Sequence, residues 1–290
     1  MEVSCAALPG RLSVDLPLGF EEKFVMQRRV RCAVALALLA GGMQLGGTAA
    51  CAQKFVQGGV EHSEKLAPVE SKFLPGSVWK EGEKDGSKST WIRIPEWLAG
   101  TWFADTETAT LRQDLVGHRE SAHTPFNFRA KSRFSYGTQR DGRGGIWHYL
   151  KLPYTSATDF PEFVEYHQVL TKDFTNQAEQ AVSFKSMVAA ARVQRTSKEI
   201  VEAFQQESVT NYEPVEDGVI KMLASTRRYD ETGKPQMQAD NEARIHRVEK
   251  FSPTAKDGSI DMQKSLFDYL RSHKMEYLIP VELKASPRAL

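Results

Sequence analysis

The stretch that decides the fold is Phe126-Asn127-Phe128-Arg129-Ala130-Lys131-Ser132-Arg133-Phe134-Ser135-Tyr136. Phe126, Phe128, Ala130, Ser132, Phe134 and Tyr136 take one side of an extended chain, while Asn127, Arg129, Lys131, Arg133 and Ser135 take the other. A period of two with one greasy and one charged face is the mark of a half-buried antiparallel strand. Just beyond it, Asp141-Gly142 is a strong hairpin signal. With those two residues as the loop, Tyr136 falls opposite Trp147 and Phe134 opposite Tyr149, so four rings share one face of a single ribbon.

The same period dominates from Trp91 to Phe251. Val219 to Tyr229 reads as a strand, residues 230–234 as a turn, and Gln236 to Phe251 as its return. Pro235 is tolerable where a returning strand begins and costly in its middle. Phe163 to Leu170, Ser183 to Arg195 and Ile200 to Tyr212 read as further strands. Asn176 to Ala191 is ambiguous, because its alanines favour a helix while Val182 and Phe184 alternate; a strand from Ser183 onward is the preferred reading.

After Phe251 the period changes. Met262, Leu266, Tyr269 and Leu270 recur at helical spacing, and Ser259 or Asp261 can cap the start. Met275 to Ile279 reads as a brief extended piece behind the helix. About eight antiparallel strands joined by tight turns are most economically arranged as an all-β, antiparallel up-and-down β-barrel with a C-terminal α-helix. Closure removes the unpaired edges that an open sheet of this size would leave.

The amino-terminal quarter is different in kind. Arg28, Arg29 and Arg31 precede the apolar run Ala33 to Ala40, and Ala50-Cys51-Ala52 then offers small residues at the positions a signal peptidase reads. This predicts a signal region over residues 1–52, with translation starting at Met26, cleavage after Ala52, and a periplasmic or secreted product. A membrane anchor is the weaker reading, since the run carries glycines and a glutamine and is poorly apolar over the roughly twenty residues a span needs. A lipoprotein modified at Cys51 is the other. Residues 53–90 read as an extended or flexible segment, residues 91–280 as the barrel domain with its helix, and residues 281–290 as a tail.

The whole sequence of 290 residues carries 38 basic and 37 acidic side chains and three cysteines. All three cysteines, five of the basic residues and four of the acidic ones precede Gln53, which leaves a thiol-free chain with 33 charges of each sign. Disulfides and thiol chemistry are thereby excluded from the exported form. A balanced surface gives no electrostatic case for nucleic acid or an anionic membrane. The sequence sets no oligomeric state.

Glu96-Trp97-Leu98-Ala99-Gly100-Thr101-Trp102 resembles the opening of a lipocalin or related calycin. In that family a Gly-x-Trp begins the first strand and the tryptophan packs across the closed end of the barrel; Gly100 and Trp102 are the matching positions. The resemblance implies a final-strand arginine over that tryptophan, either Arg244 or Arg247. It extends to the closing helix and spans Trp97 to Leu278 in general arrangement, three residues of it in motif.

A barrel of about eight strands has room for one small ligand. Phe126, Phe128, Phe134, Tyr136, Trp147 and Tyr149 would supply the apolar lining, unless the same rings simply fill the core. One of Arg227 and Arg228 would face the lumen and receive a carboxylate; Arg227 is the candidate carried forward. Glu165 and His167, with Phe163, share a strand side, but two ligands two apart do not make a metal site without partners. His148 falls opposite the aromatic ladder and reads as exposed. His118 and His123 belong to a loop, and His246 to a charged strand. No residue is singled out as catalytic, and no metal or cofactor is implied.

The preferred reading is therefore a non-enzymatic binder of a small hydrophobic molecule. A secreted carbohydrate-active or isomerase-type enzyme on a β scaffold, and a non-catalytic envelope interaction module, are the alternatives.

Overall fold

The structure, a computed structural model, describes residues 60–80, 88–117 and 124–280. The predicted signal region, His118, His123 and the predicted tail lie outside the described residues. The long strands are β2 (Gly100–Asp114), β3 (Phe126–Tyr136), β7 (Phe163–Ala178), β8 (Ala181–Gln194), β9 (Ile200–Glu216), β10 (Val219–Asp230) and β11 (Pro235–Lys250). With the shorter β6 (Tyr154–Asp159) they form one antiparallel sheet in the order β3-β2-β11-β10-β9-β8-β7-β6. The sheet curls into a half-barrel, and a single C-terminal helix, α1 (Met262–Ser272), follows. The all-β barrel-like class expected from the alternation is the class observed.

The first long strand does pair with the last, β2 with β11, so the meander returns on itself. Its free edges are β3 and β6, and the ladder does not join them. A second, three-stranded sheet hangs between those edges, made of β1 (Lys88–Ile94), β5 (Ile146–Leu152) and β4 (Gln139–Arg140) in the order β1-β5-β4. Its Ile92, Ile94 and Ile146 pack with Trp102, Tyr136, Val182, Phe184, Tyr212, Ile220 and Ile245 of the main sheet. The half-barrel is thus completed by a separate sheet rather than by its own edges.

This arrangement corrects the single-ribbon expectation. β3 pairs with β2, not β5, so Trp102 rather than Tyr149 lies across from Phe134, and Gly100 rather than Trp147 across from Tyr136. Gly137, at φ +91°, breaks the chain after Tyr136, and Asp141 then organises a five-residue loop rather than a two-residue turn. Its carboxylate accepts from Arg143 N, Gly145 N and Trp147 Nε1, each at 2.9 Å. Because β5 alternates, Trp147 joins Trp91 against Met262, Leu266, Phe267 and Leu270 of α1, with Tyr149 packed alongside, while His148 points the other way. Asp261 caps α1, accepting from Lys264 N at 2.9 Å, and residues 276–278 form a 3₁₀ turn where an extended piece was expected.

Residues 60–80 carry no sustained period, yet they pack on the outer face of the half-barrel. Val69 and Phe73 are buried against Ala189, Ala191, Val193, Ile200 and Ala203. Their anchor is Glu207, 1% exposed, which accepts from Ser63 N at 2.9 Å, Ser63 Oγ at 2.7 Å and His62 Nδ1 at 3.0 Å. Lys185 Nζ adds an ion pair at 2.9 Å. Burial pushes the Glu207 carboxyl up, but these donors outweigh it and hold it down at about 2.

The lower end is sealed around Trp102, which has no exposed surface and donates from Nε1 to the Leu98 carbonyl at 2.8 Å. Of the two candidate arginines, Arg247 lies over the indole at 4.9 Å and donates to the Trp97 carbonyl at 2.9 Å, whereas Arg244 is exposed. Gly100 sits at φ +131°, and a β-carbon there would come 2.7 Å from the Glu249 carbonyl oxygen. Backbone strain and that clash together predict that Gly100→Ala costs about 1–3 kcal/mol, read as a lower denaturation midpoint at unchanged slope.

Candidate functional site: the inner face of the half-barrel

Cross-strand register sorts the inner face into rows. At the sealed end, Trp102, Val182, Ile220 and Ile245 are fully buried. The next level is aromatic: Phe134, Tyr136, Phe174, Phe184 and Tyr212, with ring centroids 5.5–5.9 Å apart between neighbours. Above it, register aligns Lys172 with Ser186, Ser186 with Ser208, and Ser208 with Thr226 across β7 to β10. All four are only half-buried, as are Phe134, Phe174 and Met222 in the level below. Solvent therefore reaches the inner face down to the aromatic level and stops there.

Lys172 is the chemically unusual member. Its ammonium donates to Tyr136 Oη at 3.1 Å and lies 4.2 Å from the Phe184 ring centroid, 5.0 Å from Tyr136 and 5.8 Å from Phe174. Three rings around a cation stabilise it electrostatically. Among the described residues no carboxylate forms an ion pair with it. Burial lowers its pKa to about 8. Beside it, His148 packs edge-on to Tyr136 at 5.2 Å, and its Nδ1 is buried without a hydrogen-bond partner among the described residues. Burial, with the Lys172 charge, brings His148 down to about 3, so its ring is neutral at neutral pH. The expectation that His148 is exposed fails because β5 belongs to the second sheet and turns this side chain inward.

Glu107 is the other isolated charge. It faces Asn241, whose Nδ2 donates to it at 3.4 Å, and burial raises its carboxyl to about 7. Burial also raises Tyr136, Tyr154 and Tyr212, so all three phenols stay protonated at neutral pH.

Near the far end of β7 the charges are paired instead. Glu165 accepts from His167 Nε2 and Arg192 Nε, each at 2.7 Å; Arg192 also reaches Glu202 at 2.5 Å, and Glu202 pairs with Arg228. Burial pushes the Glu165 carboxyl up, and the bonds from His167 and Arg192 outweigh it to hold it below its usual value. The shared strand side of Glu165 and His167 is as expected. No group of three metal-ligating side chains forms among the described residues.

The other expected lining residues scatter. Phe134 and Tyr136 belong to the aromatic level, while Phe126 is 43% exposed at the edge of the sheet beside Phe128. Trp147 and Tyr149 face α1 and line no chamber. Arg227 lies on the outer face, where it binds Gln238 and the Ser63 carbonyl; Arg228 is the one that turns inward. His246 is exposed on β11. Lys172 and Glu107 were missed, because a lone charge in an alternating strand looks like any solvated residue until the partner strands are known.

One arrangement on the outer face has the order of a hydrolase triad. Ser225 Oγ lies 2.9 Å from His62 Nε2, and His62 Nδ1 lies 3.0 Å from Glu207. Yet Ser225 is 1% exposed, and its hydroxyl donates to Asp240 Oδ1 at 2.6 Å. A nucleophile needs room for its substrate and a free lone pair aimed at it. This group clips residues 60–80 to the sheet.

No known family, curated protein or solved structure matches this chain.

Folding raises the Glu107 pKa from its ordinary 4.5 to about 7. The folded chain thus keeps a proton that the unfolded chain releases in that window. Its contribution is complete below pH 4.5 and is lost as pH rises through 7. Glu107→Gln, which cannot ionise, should therefore gain about 1–2 kcal/mol over the parent at pH 8 and nothing at pH 4, by urea unfolding at both values.

Proposed function

We propose that this protein is an exported, non-enzymatic binder of a small hydrophobic molecule, held on the inner face of a lipocalin-like half-barrel. The observation that carries the reading is the gradient of burial along that face. Sealed aliphatic and indole side chains lie below, half-buried rings and Met222 above them, and solvent-reachable hydroxyls above those. Binding sites for small molecules are concave and mostly apolar, with a few polar groups that fix orientation. The stacking of Arg247 on Trp102, next to Gly100, supports the lipocalin-like part. The arginine run and the small residues before Gln53 support export to the periplasm or beyond.

The enzyme alternative gains little from the geometry, since His167 and Glu165 are engaged with each other and Ser225 is sealed. An interaction module would need a contiguous exposed apolar patch. Among the large exposed apolar side chains of the described residues, Val201 and Val215 stand at opposite ends of β9, Phe126 is on β3 and Val248 on β11.

The uncharged probe N-phenyl-1-naphthylamine tests the reading without involving ligand charge. Its emission should rise on titration with the protein, with micromolar half-saturation. Met222→Trp, which fills the chamber at the aromatic level beside Tyr212, should weaken binding at least tenfold while leaving the folded circular dichroism spectrum intact. No emission change with the parent protein would remove the proposal.

A further inference from the structure

Two other features of the molecule offer less. A crevice of about 700 Å³ beside Trp97 presents Arg93 and Arg143, but both are exposed and neither is aimed into a built site. The Glu165–Arg192–Glu202–Arg228 group balances two carboxylates against two guanidiniums and leaves nothing for a ligand to complete. Lys172 differs from both, because it is an inner-face cation with which no carboxylate forms an ion pair among the described residues.

Removing an ammonium from water is costly unless it is paired and hydrogen-bonded. Lys172 has three N–H donors and spends one, on Tyr136 Oη. The remaining stabilisation comes from ring faces, which offer no lone pair. It sits at the boundary where the aromatic level meets the hydroxyl row, half-buried and hence reachable from the open side. From the second sheet, His148 packs edge-on to the same Tyr136, and its Nδ1 is buried with no hydrogen-bond partner among the described residues. Glu107, another carboxyl of the inner face, is engaged by Asn241 on β11 rather than by Lys172, and Glu165 and Glu202 are committed to Arg192 and Arg228.

Resting on the chamber reading above, we propose that the ligand is an amphipathic monoanion whose carboxylate binds the Lys172 ammonium, with its apolar body against Phe174, Phe184 and Met222. The anion supplies the missing counter-charge, and the rings receive the part of the molecule that leaves water. A neutral molecule of the same shape would satisfy the rings and leave the ammonium as it is. Charge at this depth therefore selects the acid over its uncharged analogues.

The test compares decanoate with methyl decanoate by isothermal titration calorimetry on the parent protein and on Lys172→Met, Lys172→Gln and Lys172→Arg. The parent should prefer the acid at least tenfold. Met and Gln should abolish that preference while still binding the ester, and Arg should keep most of it. The Gln variant retains polarity, so the comparison stands even if the Met variant does not fold. Equal affinity of the parent for acid and ester, or a preference that survives in both Met and Gln variants, overturns the proposal and leaves the chamber reading standing. Failure of the parent to bind either compound while it still binds the naphthylamine probe does the same. Failure to bind all three overturns both.

Discussion

The pairing of β2 with β11 is the constraint on which the rest of the molecule depends. It joins the first long strand of the sheet to the last across a large sequence separation, and it sets Trp102 directly opposite Arg247. The guanidinium covers the indole and ties down the Trp97 carbonyl, so the sealed end is held by stacking and a hydrogen bond together. Gly100 makes that approach possible, because a side chain there would collide with the backbone of β11. Without this junction β3 and β2 would part from the other six strands, and Trp102 would leave the core it shares with Val182, Ile220 and Ile245.

The junction also dictates where the barrel stays open. With β2 committed to β11 on one side and β3 on the other, the gap falls between β3 and β6. The chain leaves the sheet at both of those strands to build β4 and β5, and that small sheet turns its isoleucines and His148 toward the gap. Its opposite side needs cover, which α1 supplies with Met262, Leu266 and Leu270. The two sheets therefore divide the aromatic side chains between two cores, one around Trp102 and one beneath the helix. The unpaired Lys172 ammonium lies where β7 meets the inner face of this closure.

Much of this architecture was legible in the sequence because it rests on local patterns. The alternation of Phe126 to Tyr136, the Val219 to Lys250 hairpin with Pro235 at its return, and the helical spacing of Met262, Leu266 and Leu270 each report their element directly. Asp141-Gly142 misled because a turn signal says that a turn occurs, not which strand enters it. The break at Gly137 gave Gln139 and Arg140, not Phe134 and Tyr136, to the partner of β5. The ambiguity over Asn176 to Ala191 ended as two strands and a tight turn, since Val182 and Phe184 are needed on the inner face.

The site was harder to see, for reasons of distance. His62 meets Glu207 across 145 residues, in a segment whose anchors are single side chains rather than a repeated pattern. Lys172 acquires its character only when Tyr136 and Phe184 are brought round it from other strands. A crystal structure of the protein as purified tests the central claim most directly. The account predicts ordered non-protein density in a hollow between the Lys172 ammonium, Phe184 and Met222. Interlocked side chains of Phe174, Phe184, Tyr212 and Met222, with Lys172 extended to bulk solvent and no space among them, would contradict it.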